Sequence, residues 1–449
     1  MNKCLKKILV ILLVFVCSFL TVYYLGFINN CFDPLNSYGF SKAIMMGQVP
    51  YRDFNTVTTP LYAFYQSVFL FIYDDFIMIM ISQALLVTIS GCLLYRMFGK
   101  KCFLLLFVVV LFQYTCVIPT YNFMCFFIII LLIYFEKYYR DKDYLIGIVI
   151  ALGALSKHTM GLFLVIPSII FYRKNINKLL RRFVGFLVPC FIFLIYLIVN
   201  GAVYDFFNLC LFGLFDFLND NGVGGGDINI FCIGIAILLL VFSIILLLKN
   251  KKDINIYYLI LGFLLVIPLF DKSHLSIWVL CFVVMILPYV NKYTNIFVYF
   301  SMNLFVFFSL IWTIFWNCTT EFTLSRDLNH FKYYIQTKDT YNNLLVVNDF
   351  INSYDDPIVL GYFSMQYAII NDKKLNEFSS LYRGNFGFNG INRLCNEIDG
   401  MSEQVFLINI FDYENKVKSS QFPKELAKYV MDNCKFIEEK NGFYFYYKE

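Results

Sequence analysis

Charge is what this sequence has least of. Only 15% of its 449 residues are Asp, Glu, Lys or Arg, where a soluble domain carries about 25%. Histidine occurs three times, and no HxxxH or HExxH spacing appears, so the common helical metal motifs are missing. None of the 14 cysteines pairs with another as CxxC, which removes the compact zinc and dithiol signatures. Most of them lie in apolar runs, where a free thiol behaves as a small hydrophobe. Cys395 and Cys434, in the more polar tail, are a candidate pair only if that tail is outside the cell. A basic tract interleaved with aromatics is also lacking, which argues against nucleic acid as a partner. Internal repeats and low-complexity segments are absent as well.

What is abundant is apolar surface. The chain is 60% hydrophobic and 20% aromatic, with a mean hydropathy of +0.67. A water-soluble fold of this size cannot hide that much, so the bilayer is the expected solvent. Apolar runs recur at 8–28, 76–96, 102–118, 122–135, 144–157, 159–172, 183–200, 228–248, 256–270, 275–290 and 295–315. The first follows Lys3, Lys6 and Lys7 and resembles a signal peptide. It is long enough to span, however, and Asn29-Asn30-Cys31-Phe32 offers no small-x-small cleavage site, so an uncleaved first helix is expected.

Cations alternate between the turns. Arg96, Lys100, Lys101; Lys137, Arg140, Lys142; Arg173 to Arg182; Lys249, Lys251, Lys252; and Lys292 fall on one side. The other side carries only Lys42, Arg52, Lys157 and Lys272. The positive-inside rule then places the N-terminus in the cytoplasm. The expected fold is an α-helical polytopic membrane protein of about eleven spans, with a small C-terminal extracytoplasmic α/β domain. The division falls at 1–315, including an outer loop at 29–75, and 316–449. In the tail, 340–352 reads as an amphipathic helix and 423–430 as a helix opened by proline. Residues 357–362 and 405–410 read as buried strands, and 435–439 and 443–448 flank a hairpin turn at Lys440-Asn441-Gly442.

Ionisable groups at membrane depth or at the rim of a helix bundle are costly, and so are functional candidates. Asp33, in Cys31-Phe32-Asp33-Pro34, is placed to take a proton from a hydroxyl; the bland reading is a helix cap. Arg52 offers a planar fork for phosphate, and Asp53 is either a second carboxylate or the partner that holds Arg52. Lys157 and His158 interrupt two apolar runs and suit an anionic headgroup, unless Lys157 merely snorkels to water. Lys272 and His274, in Asp271-Lys272-Ser273-His274, repeat that arrangement. The glycine run at 222–226 has no P-loop lysine and reads as a flexible loop. Trp278, Trp312 and Trp316 read as packing or interface residues.

Taken together, Asp33, Tyr38, Gly47, Tyr51, Asp53, Pro60 and Leu61 resemble the first outer loop of the GT-C superfamily of membrane glycosyltransferases. The likeness is to bacterial relatives of protein O-mannosyltransferases and aminoarabinose transferases. Leu155-Ser156-Lys157-His158-Thr159-Met160-Gly161 looks like a later outer turn of that family, as does Lys272-Ser273-His274. Two departures stand out: Asp33-Pro34 replaces an acidic pair, and Thr59-Pro60 replaces a double proline.

The resemblance implies a sugar donor on a polyprenyl phosphate and a glycan, lipid or protein acceptor. Asp33 or Asp53 would act as catalytic base, with inversion at the anomeric carbon. Arg52, Lys157, His158, Lys272 and His274 would hold the donor phosphate. Family members differ in their need for a divalent metal, and this sequence shows no clear site. Two rival readings are a lipid or sugar transporter, which would favour broken helices and repeat symmetry, and a non-catalytic cell-envelope assembly protein.

Overall fold

The computed structural model describes residues 3–28, 32–112, 115–213, 230–249, 253–266, 272–289, 294–319, 321–361, 363–381, 385–414 and 422–449. The glycine run at 222–226 and Asp271 lie outside them.

The chain is mostly helical with two small sheets. Helix α1 is Lys3–Ile28, α2 Phe32–Met45, α3 Leu61–Leu70 and α4 Phe76–Phe98. A 3-10 turn at Gly99–Leu104 leads into α5, Leu105–Leu111. Then come α6 Tyr121–Tyr138, α7 Asp143–Ser156, α8 His158–Tyr172, α9 Ile176–Val199 and α10 Val203–Phe207. The remaining apolar helices are α11 Ile230–Lys249, α12 Ile254–Leu261, α13 Lys272–Ile286 and α14 Thr294–Thr319. Among the described residues, three helical stretches are long and apolar enough to cross a membrane: Phe76–Leu111, Tyr121–Tyr138 and Ile176–Val199. The first is broken where Gly99 takes a φ of 58°, a left-handed conformation that glycine adopts without steric cost.

The apolar faces do not all turn inward. Only 17% of the most apolar window of α9 is buried, and Phe183, Ile192 and Val199 stand exposed along it. Ile296, Phe300 and Phe307 do the same on α14, and Leu238 and Leu248 on α11. Continuous exposed apolar surface of this kind is unfavourable in water and suits a lipid surround.

Two glycines set the tightest helix pair. A Cβ on Gly147 of α7 would fall 2.0 Å from the Arg182 carbonyl oxygen of α9, and one on Gly185 would fall 2.1 Å from that of Tyr144. Small residues let helix backbones approach, which is how helices pack where lipid removes the hydrophobic drive. Beside this contact the buried Arg182 guanidinium donates to both oxygens of Glu136 at 2.6 and 3.2 Å, and to Asp143 at 3.0 Å. It therefore ties α6, α7 and α9 together, and the three charges buried in this cluster are paired with one another, as burial demands.

The tail begins with a hairpin of β1 Phe322–Leu324 and β2 Ile335–Thr337, followed by α15 Lys338–Ile351. After β3 Ile358–Leu360 come α16 Phe363–Ile370, α17 Gly390–Asp399, β4 Gln404–Asn409 and α18 Ile410–Glu414. Helix α19 Lys424–Asn433 and the hairpin β5 Lys435–Lys440 and β6 Phe443–Lys448 complete it. The sheet order is β3-β4-β6-β5. β3 runs parallel to β4, and the other pairs are antiparallel. Phe406, Ile408, Leu394, Leu426 and Val430 form its core.

The tail docks on α2 and the adjoining loops. Tyr38, Phe54, Phe76 and Ile79 share one apolar cluster with Leu328, Phe331, Met365 and Ile369. The Gln48 side chain bonds both ways to the Leu375 backbone, donating to its carbonyl at 2.7 Å and accepting from its N–H at 2.9 Å. A Cβ on Gly39 would meet the Met365 sulfur at 2.0 Å, so any larger residue there would have to displace that side chain.

Candidate active site

The first-loop sequence builds a rigid shelf. Gly47, with φ 85°, ends α2 in a turn, and Tyr51 sits at φ 75°. Tyr51 N–H then bonds to the Phe54 carbonyl at 3.0 Å, and Asp53 N–H to that of Val49 at 3.0 Å. Asp53 closes the loop by accepting from Val49 N–H at 2.7 Å. Arg52 forks onto both Asp53 oxygens at 2.7 and 3.0 Å and donates to the Asn200 carbonyl at 2.9 Å. The Arg52 hydrogen bond, the largest influence, holds the Asp53 carboxyl below its usual range.

Behind this shelf lies a cavity of about 170 Å³. Helix α2 contributes Asp33, Asn36, Ser37 and Phe40, and the shelf contributes Thr58, Thr59 and Pro60. Tyr121, at the start of α6, and His274, in the first turn of α13, form another wall. Ser380 and Asn385 reach in from the tail. Phe40 stacks on Phe54 with ring centroids 5.4 Å apart, which gives the cavity an apolar floor.

Of the sequence candidates, Asp33 and His274 meet in this cavity. Asp33 is half-buried in the first turn of α2, where the positive end of the helix dipole favours a carboxylate. His274 is buried, and its Nε2 lies 3.2 Å from the Tyr121 hydroxyl. Lys157 is buried just beyond the wall, 6.0 Å from the centre of the Tyr121 ring, and donates to the Leu265 carbonyl at 3.0 Å. His158 opens α8, and among the described residues neither of its ring nitrogens has a hydrogen-bond partner. Arg52, Asp53 and His158 are not part of the cavity lining. The Lys272 side chain lies outside the described residues.

The residues that sequence reasoning did not single out are Asn36, Tyr121, Ser380 and Asn385. The Asn36 Oδ1 is buried without a partner among the described residues, in a position to accept from a hydroxyl. Asn36 lies one helical turn after Asp33, a spacing that puts both on one face, and this was a readable signal. Nothing local marks Ser380 or Asn385.

A second cluster bears on the question of a metal. Ligand atoms of Asp74, His330 and Asp372 lie within 4.8 Å of one another. The Lys42 ammonium fills the space between them, 2.5 Å from Asp74, 2.6 Å from Asp372 and 3.0 Å from His330 Nε2. An ammonium at those distances occupies the place a divalent ion would take, so these residues do not fit a metal centre. Burial and the Asp74 carboxylate push the Tyr38 phenol, which donates to Asp74 at 2.9 Å, well above its usual range. Burial raises the Asp372 carboxyl, but hydrogen bonds from Lys42 and His330 outweigh it and hold the group low. The cluster is a charged clasp between α2 and the tail.

No family model, no curated protein and no solved structure matches this chain.

Proposed function

We propose that this chain is a GT-C-type membrane glycosyltransferase that moves a sugar from a polyprenyl-phosphate donor to an acceptor hydroxyl on the outer face of the membrane. The observation that carries the proposal is that Asp33 and His274, far apart in sequence, line one cavity. An acceptor hydroxyl would give its proton to Asp33 while its oxygen attacks the anomeric carbon. The bond from that carbon to the phosphate oxygen breaks, its electron pair leaves with the polyprenyl phosphate, and the sugar inverts. His274 and Tyr121 line the side on which that charge would develop, with Lys157 behind them, where preorganised donors contribute most. Phe40 and Phe54 supply a surface for a sugar ring.

The membrane arrangement belongs to the same proposal: about eleven spans, an internal N-terminus and an external tail. Its support is the segregation of turns. Asp33, Thr58, Tyr121 and His274 share one cavity, whereas Met97, Lys101, Lys137, Arg140, Asp253 and Pro288 share another. Those are the two sets of turns that an alternating path assigns to opposite faces.

The test is incubation of the purified protein with a panel of radiolabelled polyprenyl-phosphate sugars. Release of sugar from one donor to a hydroxylated acceptor is the expected result. No release and no binding of any donor would end the enzyme reading.

A further inference from the structure

The second cavity lies at the opposite end of the bundle and measures about 540 Å³. Lys101, Lys137 and Arg140 are on its lining, and two carboxylates, Glu136 and Asp253, are there too. Each carboxylate is already engaged within the protein. Glu136 is held by Arg182 at 2.6 and 3.2 Å. Asp253 accepts from the Tyr289 hydroxyl and from Asn255 N–H. Lys137 is aimed by its bond to the Met97 carbonyl at 2.6 Å and by the Phe98 ring 5.1 Å away. Arg182 offsets Glu136, so Lys101, Lys137 and Arg140 stand against the single charge of Asp253 and the lining is net positive, while the walls behind it are apolar, made by Ile133, Met285 and Leu287. At the edge of Asp253, the Asn255 Oδ1 is buried and has no hydrogen-bond partner among the described residues.

Cations, an apolar wall and an unpartnered acceptor together describe a ligand that is anionic, partly greasy and hydroxylated. We infer that this cavity binds a phosphate-bearing, hydroxylated headgroup, that of an anionic glycerophospholipid such as phosphatidylglycerol in the inner leaflet. The phosphate faces Lys101 and Arg140, a headgroup hydroxyl donates to Asn255 Oδ1, and the acyl chains follow the apolar wall. A cation near a membrane surface favours an anionic lipid by about fivefold in affinity, so the pair sets a clear selectivity. The site is remote from the proposed chemistry. It rests on reading the bundle as membrane-embedded with the N-terminus inside.

The experiment is native mass spectrometry of the detergent-purified full chain after exposure to equal phosphatidylglycerol and phosphatidylcholine. A parallel thermal-shift arm uses soluble glycerol phosphate. Wild type is expected to retain phosphatidylglycerol at least about fivefold over phosphatidylcholine. Lys101→Ala with Arg140→Ala is expected to lose that preference, and Lys101→Arg with Arg140→Lys to keep it, which separates charge from misfolding. A thermal shift with glycerol phosphate but no lipid preference supports the site and assigns a soluble ligand. Equal retention of both lipids in wild type with no glycerol phosphate shift, or a preference unchanged in the alanine variant, overturns the inference. If the chain instead leaves membranes without detergent, the membrane reading itself has failed.

Discussion

The Tyr121 hydroxyl lies 3.2 Å from His274 Nε2, joining the start of α6 to the first turn of α13 across the cavity wall. If His274 steadies the departing phosphate, His274→Ala will lower kcat by about 10²-fold, the usual effect of removing one preorganised donor. Tyr121→Phe removes only a neutral hydrogen bond worth about 1 kcal/mol and should cost no more than about tenfold. Steady-state kinetics on the labelled donor would check both. Equal losses in the two variants would mean that the pair acts as one structural unit.

Gly147 and Gly185 make a prediction about stability alone. Gly147→Ala would force the α7 and α9 backbones apart, because the nearest atom is the Arg182 carbonyl oxygen at 2.0 Å. Overpacking of this kind costs about 1–3 kcal/mol, so the Tm in detergent should fall. Gly234→Ala is the control, since nothing lies within 4 Å of its would-be Cβ. It should leave the Tm unchanged or raise it slightly.

The Lys42 clasp predicts how the tail is held. Lys42→Met would leave the Asp74 and Asp372 carboxylates facing each other without their shared cation. Both are partly exposed, 25% and 55% by side chain, so solvent softens the loss to about 1–3 kcal/mol, below that of a fully buried pair. Limited proteolysis should then cut the tail faster than in wild type. Unchanged cleavage would mean that the apolar contacts of Phe331 and Met365 hold it unaided.

The same clasp has a pH signature. The Asp372 carboxyl is held low in the folded protein, below the value of about 3.9 for an unfolded chain. Its stabilisation is therefore complete above about pH 4 and is lost as the pH falls through the lower, folded value. The stability gap between wild type and Asp372→Asn should be widest near neutral pH and close below about pH 4. A gap that grew on acidification would contradict the assignment. Asp53, lowered by Arg52, should behave in the same sense.

Much of the helical layout was legible because apolar runs separated by charge leave few alternatives. The runs at 144–157 and 159–172 fold as Asp143–Ser156 and His158–Tyr172, each shorter than the roughly 20 residues of a straight crossing. In the tail, helix 340–352 appears as Lys338–Ile351, and the hairpin turns at Asn441 and Gly442. Helices α16 and α17 were not foreseen: Phe363–Ile370 is too short to show a period, and Asn389, with φ 52°, hides the start of Gly390–Asp399. Asp33 and His274 were readable as costly polar residues beside apolar runs. Tyr121, Ser380 and Asn385 were not, because their place in the cavity depends on long-range packing. The fork of Arg52 on Asp53 fits one of the two readings the sequence leaves open for Asp53, the partner that holds Arg52.

The most direct test is donor turnover by wild type and by Asp33→Asn, with donor binding measured alongside. Wild type is expected to release sugar from one polyprenyl-phosphate donor, and Asp33→Asn to bind this donor still but turn it over at least about 10²-fold more slowly. Turnover unchanged in Asp33→Asn would contradict the role given to Asp33 and the cavity built around it.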